Sequence, residues 1–236
     1  ANDYLLKPFE KQELLARALN LITLKQSARQ ERLLRRAEIR ALQSQIRPHF
    51  LFNALSTIIA ICRTDPDKVR RLLLELGNYL RYSFSFIKTE ETVSLETELG
   101  YIRSYLALEQ ARFGERLRVV FDLEEGVDAR IPPLLLQPLV ENAVRHGLLP
   151  KDEGGAVSIS VRRQSGFIFF QVEDDGAGMS GEKVKQLLED EPPGAGVGVA
   201  NVNHRLRALY GEELRVESRL GRGTRVSFRI PIEGTR

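Results

Sequence analysis

Apolar residues along this chain change their spacing once, near residue 114. Before that point they recur every three or four positions. Leu14, Leu15, Ala18, Leu19 and Ile22 form one such run, Ile39, Leu42 and Ile46 the next, and Leu51, Leu55, Ile58 and Cys62 a third. Val69, Leu73, Leu76, Leu80 and Phe84 follow, then Leu95, Leu99, Ile102 and Leu106. Such spacing predicts amphipathic helices. After residue 114 the pattern alternates, at Leu117, Val119, Phe121 and Leu123, at Val157, Ile159 and Val161, at Ile168, Phe170 and Val172, and at Val226, Phe228 and Ile230. A period of two predicts strands, with helical patterns near 134–147 and 199–210 between them. The fold class is therefore α+β in two domains, with the boundary near 110–116.

Local signals punctuate the helical half. Thr64-Asp65-Pro66 stops one helix and starts another, so the third and fourth runs form an antiparallel hairpin. Two such helices bury little alone. Pairing with a second copy into a four-helix bundle covers both apolar stripes. Ser94 reads as an N-cap, with Glu96 and Glu98 in the first turn, and that helix ends at Phe113-Gly114. From Gln26 to Arg47 a charge-rich helix or coiled-coil lead-in is expected. Its arginines Arg29, Arg32, Arg35, Arg36 and Arg40 alternate with Glu31 and Glu38, as on a solvated face, and no groove-reading motif accompanies them. The expected divisions are 1–24 (strand, turn, helix), 25–114 (lead-in and helical hairpin) and 115–236 (α/β sandwich).

Composition narrows the class. With 42% hydrophobic and 28% charged residues, the chain has an ordinary globular balance. Lys plus Arg number 35 against 32 Asp plus Glu, so the pI of 9.1 reflects near-balance rather than a basic surface, and no nucleic-acid partner is expected. One cysteine excludes an internal disulfide and a four-cysteine zinc site, which suits the cytoplasm. No apolar run reaches the roughly 18 residues of a membrane span. The chain opens on Ala1 rather than Met, as a piece of something longer would.

Chemistry concentrates in a few stretches. One of only three histidines, His49, lies in Gln43-Ser-Gln-Ile-Arg-Pro-His-Phe-Leu-Phe-Asn-Ala-Leu55. Helical spacing puts Gln45, His49 and Asn53 on one face, and Pro48 breaks the backbone beside the imidazole. In Leu136-Gln-Pro-Leu-Val-Glu-Asn-Ala-Val-Arg-His-Gly147, the side chains of Glu141, Asn142, Arg145 and His146 lie within a turn of one another. A carboxylate, an amide oxygen and a guanidinium so spaced can hold hydrated magnesium and a phosphate chain. Val172-Glu-Asp-Asp-Gly-Ala-Gly178 places Asp174 at a strand end, able to accept from an exocyclic amine, with Gly176 and Gly178 letting a base approach the backbone. Gly194, Gly196 and Gly198 lead into a helix whose amides suit an anion. Gly221-Arg-Gly-Thr224 precedes the last strand as a hairpin turn.

The order of these four glycine- and asparagine-bearing motifs resembles the ATP-binding fold shared by gyrase, Hsp90, MutL and histidine kinases. Upstream, Gln-Ile-Arg-Pro-His49-Phe-Leu-Phe-Asn53, Tyr105-Leu-Ala-Leu-Glu-Gln-Ala-Arg-Phe113 and Ile131-Pro-Pro-Leu-Leu-Leu-Gln-Pro-Leu-Val-Glu-Asn-Ala143 narrow it. Together they resemble a sensor histidine kinase of the LytS/YehU type over about residues 40 to 232. Asp3-Tyr-Leu-Leu-Lys7-Pro8-Phe9 resembles the end of a response-regulator receiver domain, whose acidic pocket would lie upstream.

The resemblance implies ATP-dependent autophosphorylation of His49 and transfer to an aspartate of a response regulator receiver domain, in a homodimer built on the helical bundle. It makes Asn142 the Mg2+ ligand and Asp174 the reader of adenine, with Gly176, Gly178 and Thr224 beside the base. Gly194, Gly196 and Gly198 form a lid, and Arg145 or His146 faces the phosphates. Phe50 stands where many such kinases have an acid, so Glu141 or Gln45 is the expected orienting base. Asn53 is placed to direct water in a phosphatase reaction. Two alternatives stand beside this reading: an ATP-sensing dimerisation module, and an ATPase or serine kinase on the same fold.

Overall fold

A computed structural model describes residues 48–85, 92–188 and 197–232, all in a unit that begins at Pro48. The expectations for residues 1–47, Gln45 among them, and for Gly194 and Gly196 lie outside the described residues, as does any effect of Pro48 on a helix before it.

Helix α1 (Pro48–Ile61) runs antiparallel to α2 (Pro66–Ser85). Asp65 caps α2, its Oδ1 accepting from the Lys68 amide at 2.8 Å, and Pro66 opens the first turn, where a missing N–H costs nothing. The two helices close on each other through aromatic rings. Phe50 lies 4.7 Å from Tyr79 and 5.1 Å from Tyr105, and Tyr79 lies 4.9 Å from Tyr101. This corrects the expected stripes. On α1 the buried residues are Phe50, Ala54 and Ile58, whereas Leu55 and Cys62 are exposed. On α2 they are Leu72, Leu76, Tyr79 and Ser83, whereas Leu73 and Phe84 are exposed. Each helix carries more than one apolar row, and the rows with Phe50 and with Tyr79 take the inside, while Phe52 and Phe84 stay exposed.

A short strand β1 (Val93–Ser94) leads into helix α3 (Leu95–Phe113). Ser94 caps it as expected, accepting from the Thr97 amide at 3.1 Å. Leu95, Leu99, Ile102 and Leu106 are buried, but so are Glu98, Tyr101, Ser104, Tyr105 and Leu108, so α3 is enclosed on several sides rather than along one stripe. One side meets α2, where Ser104 donates to Glu75 at 2.7 Å.

The sandwich follows. Strands β2 (Leu117–Leu123), β4 (Gly155–Gln164), β5 (Phe167–Asp174), β6 (Arg215–Arg219) and β7 (Gly223–Pro231) form one sheet in the order β2-β4-β5-β7-β6. Only β2 and β4 are parallel. The short β3 (Arg130–Ile131) pairs with β1. Alternation sorts the two faces of the sheet. Val157, Ile159, Val161, Ile168, Phe170, Val172, Val226, Phe228 and Ile230 point inward, each burial stabilising by about 1.5–3 kcal/mol. Phe170 and Phe228 stack at 4.8 Å. On the other face the pair Glu173 and Arg225 bridges β5 and β7 at 2.9 Å. The inward face is covered by α4 (Gln137–Asn142), its continuation through Leu148, and α6 (Val197–Tyr210). Helix α5 (Gly181–Leu188) and strand β6 are elements that the period reading omitted. Among the described residues no helix is long and apolar enough to cross a membrane.

Candidate nucleotide site and phosphoacceptor histidine

Asp174 is the last residue of β5, opposite Thr224 of β7, and is 5% exposed. Its Oδ1 accepts from the Gly176 amide at 3.0 Å. Burial pushes its carboxyl up to about 6, and the neighbouring charges of Asp175 and Glu173 add to the rise, against the backbone donors of Gly176 and Thr224. At neutral pH it is an ionised acceptor at the edge of a cavity.

Two glycines leave room there. A side chain at Gly147 would put its Cβ 2.4 Å from Asp174 Oδ1. Gly178 sits at φ 64°, where a Cβ would stand 1.9 Å from the Arg219 carbonyl, a conformation and a space that only glycine accepts. Ser218 ties this turn to the last hairpin: its Oγ accepts from the Met179 amide at 2.8 Å and lies 2.9 Å from Thr224 Oγ1.

The cavity has a volume of about 450 Å3, within the usual range for a small-molecule site. Asn142 and His146 line it from one side, Asp174, Gly178 and Thr224 from the sheet, and Lys183, Gln186 and Leu187 from α5. Beyond Asn142 the α4 helix widens into a π-type turn, closed by the Leu149 amide on the Val144 carbonyl at 3.0 Å. Such widening shifts the following side chains round the axis, here to His146 and Gly147 at the cavity wall.

The structure thus brings together Asn142, His146, Asp174, Gly178 and Thr224. Gly176 lies behind them, packed on the Gly147 backbone. Gly198 is in the first turn of α6, next to Pro138. Arg145 is exposed and does not line the cavity. Glu141, expected beside Asn142 and Arg145, instead turns inward: it is 3% exposed and accepts from Gln137 Nε2 at 2.7 Å. Gln137 also donates to Tyr101 Oη at 2.8 Å, a phenol whose proton burial holds more tightly than usual. A spacing of i, i+1, i+4 and i+5 covers a wide helical sector, and the α3 side of that sector captured the carboxylate.

Lys183, Gln186 and Leu187 were missed because the period reading assigned no element to residues 181–188, where α5 lies. Its signal was present in Ser180, which caps the helix, and in Val184, Leu187 and Leu188 at helical spacing.

His49 is exposed in the first turn of α1, and its Nδ1 lies 3.2 Å from Asn53 Nδ2. His204 is exposed on α6. Among the described residues no group of three or more His, Cys, Asp or Glu could hold a metal ion.

Residues 37–117 match the family model described as histidine kinase, and residues 128–234 the one described as histidine kinase-, DNA gyrase B- and HSP90-like ATPase. The Bacillus subtilis (strain 168) protein YwpD is 44% identical over the whole of this chain and 84% of its own length. The sensor histidine kinase YpdA of Escherichia coli (strain K12) is 44% identical over 85% of this chain, and the sensor histidine kinase/phosphatase LytS of Staphylococcus aureus (strain Mu50 / ATCC 700699) is 36% identical over 83%. This chain spans 35% of YpdA and 34% of that LytS. A histidine on an exposed helix face, a buried aspartate beside a cavity and these relatives agree: the chain belongs to the sensor histidine kinase family represented by LytS and YpdA.

Proposed function

We propose that this chain uses Mg2+ and ATP to phosphorylate His49 and passes the phosphoryl group to an aspartate of a response regulator receiver domain. The observation that carries this reading is the buried, ionisable Asp174 facing a nucleotide-sized cavity with Asn142 on its wall. Asp174 accepts from the adenine amine. Gly178 and Thr224 flank the base, and Lys183 and His146 supply cationic or donor groups at the wall. Asn142 offers one hard oxygen to magnesium. A single protein oxygen fits an ion whose other ligands come from phosphates and water. When bound, Mg2+ and ATP supply the γ-phosphoryl group with its charge neutralised.

The imidazole needs a lone pair on the attacking nitrogen. As placed, the Asn53 amide group donates to Nδ1 and leaves the ring proton on Nε2. A half-turn of that amide puts its oxygen on Nδ1–H and frees the Nε2 lone pair. Attack then forms the N–P bond as the bond from phosphorus to the bridging oxygen breaks, and the remaining ring proton passes to water at this exposed position. Water takes the part expected of Glu141 or Gln45.

A homodimer is part of the proposal. Phe52, Leu55 and Ile59 on α1 and Leu73 on α2 are exposed apolar residues that a second copy would cover. Asn53 also supports a second activity: an amide beside the phosphoacceptor can direct water at a phosphorylated receiver domain, in keeping with the kinase/phosphatase named among the relatives.

Incubation with γ-labelled ATP and Mg2+ tests the reading against the alternatives. Acid-labile label that His49→Gln removes, with ATP binding retained, supports it. Acid-stable label or free phosphate independent of His49 favours a serine kinase or ATPase. Binding without label favours a nucleotide sensor.

A further inference from the structure

Glu98 stands apart from every residue named so far as chemical. It lies in the first turn of α3, where sequence reasoning gave it only the helix dipole to serve, yet it is 0% exposed. Its carboxylate has turned away from its own helix to the chain just before α4. Oε2 accepts from the Leu134 amide at 2.7 Å, and Oε1 accepts from Leu136 at 2.9 Å and Gln137 at 3.2 Å. Helix α4 has no capping side chain of its own at this end. The first donors of a helix need an acceptor, and here the carboxyl oxygens of another element supply it; burial pushes that carboxyl above its usual range, against the three backbone donors and the nearby Arg205.

Two further features make this grip specific. Leu134 sits at φ 62°, a left-handed conformation that a branched side chain adopts only where its surroundings impose it. Its amide is one of those that Glu98 holds. Arg205 of α6 donates to the Pro133 carbonyl at 2.6 Å and faces the Glu98 charge. The segment 133–137 is therefore held from α3 by Glu98 and from α6 by Arg205.

From Gln137, α4 reaches Asn142 in five residues, roughly 7.5 Å of helix. A helix that short moves as one piece, so fixing its start fixes its end. We propose that Glu98 is a positioning residue for the nucleotide site: by anchoring the start of α4 it sets where Asn142 meets the metal-bound phosphates. The inference rests on the reading of the cavity as a site for magnesium and ATP. Asp174 and Gly178, which face the base, belong to β5 and its turn; Asp174 is held in register by Thr224 of β7, and the hydrogen bonds of Glu98 go to residues 134, 136 and 137 instead.

Binding separates the two contributions. A non-hydrolysable ATP analogue is titrated into the whole chain by calorimetry, once with Mg2+ and once with EDTA. In the unaltered chain Mg2+ should strengthen binding. Glu98→Gln keeps the volume but turns an NH2 towards backbone N–H donors, and a displacement of ångström scale at a charged site costs about 10- to 100-fold. We expect Glu98→Gln to remove most of the Mg2+-dependent gain and to leave EDTA-state affinity unchanged. Asn142→Ala should do the same, and the double variant should lose no more than either alone. Glu96→Gln, on the same turn but exposed and paired with Arg103, should change neither value.

A folded Glu98→Gln protein with the Mg2+ gain intact overturns the proposal. So does an equal loss with and without Mg2+, which would make Glu98 a general support of the fold. If the variant does not fold, it is repeated in a Leu134→Gly background, which removes the left-handed leucine. Failure to fold there too shows a structural role and also overturns the proposal. An unaltered chain that binds the analogue equally with and without Mg2+ instead contradicts the metal-site reading, and the Glu98 inference falls with it.

Discussion

Asp174→Asn should make the protein more stable and the nucleotide site inactive. The carboxyl titrates at about 6 in the fold against an ordinary 3.8, because burial disfavours its charge. Below about pH 4 both the folded and unfolded states hold the proton, and no penalty exists. Between about pH 4 and 6 the unfolded chain loses its proton first, so wild-type stability falls as pH rises, and above about pH 6 the whole penalty is present. A shift of that size amounts to ~3 kcal/mol. Asparagine carries no charge to desolvate. It keeps an oxygen for the Gly176 amide but weakens one of the two backbone hydrogen bonds, at about 1 kcal/mol.

The net gain at neutral pH is about 2 kcal/mol, or roughly 4–8 °C in Tm for a chain of this size. The assay is thermal unfolding of both proteins from pH 4.5 to 7.5, read as variant minus wild type so that other titrations cancel. The difference should grow with pH and level off above about pH 6. In the same variant an NH2 replaces the oxygen that accepts the adenine amine, and ATP affinity should drop by about 30- to 100-fold. A difference in Tm that is flat across the pH range, or a variant no more stable than wild type at pH 7.5, would refute the reasoning. Unaltered ATP affinity would remove Asp174 from the site.

Other expectations follow from the same geometry. ATP affinity of the unaltered chain should weaken as pH falls through about 6, where Asp174 gains its proton, and calorimetry at pH 5.5 and 7.5 checks this. Gly178→Ala places a methyl group on the Arg219 carbonyl at a left-handed position, and should cost more than about 1 kcal/mol in chemical denaturation and abolish nucleotide binding. Phe50→Ala empties the ring cluster of Tyr79 and Tyr105, with an expected loss of about 3–5 kcal/mol, read from the denaturation midpoint. Ile59→Lys with Leu73→Lys charges the exposed apolar face, and light scattering should show a shift from dimer to monomer with the fold retained.

How much of this could be read in advance differed between the halves. Strands β2, β4, β5 and β7 were legible because a sheet covered on one side imposes alternation, and Val157 to Val161 and Ile168 to Val172 show it without interruption; β6, whose only apolar residue is Val216, was not. The helical stripes were less legible. On α1 two apolar rows compete, one with Phe50 and Ile58 and one with Phe52 and Ile59, and spacing does not say which faces the partner helices. Aromatic packing on Tyr79 and Tyr105 decides it.

At the site, Asp174, Asn142 and Thr224 were legible because they stand in glycine- and asparagine-bearing motifs of fixed order. Glu141 was placed wrongly within its helix because the contact that turns Gln137 inward is with Tyr101 of α3, 36 residues away; the Gln137–Glu141 bond itself is an i, i+4 pair within one helix. Glu98 could not be found from sequence, since its partners are backbone amides 36 to 39 residues away.

The most direct measurement is of where the phosphate goes. The chain is incubated with γ-labelled ATP and Mg2+, and the labelled peptide is isolated at alkaline pH and sequenced. The account predicts acid-labile label on His49, absent from His49→Gln and from Asp174→Ala. Label on His146 or His204, acid-stable label on a hydroxyl, or label on His49 that persists in Asp174→Ala would contradict it.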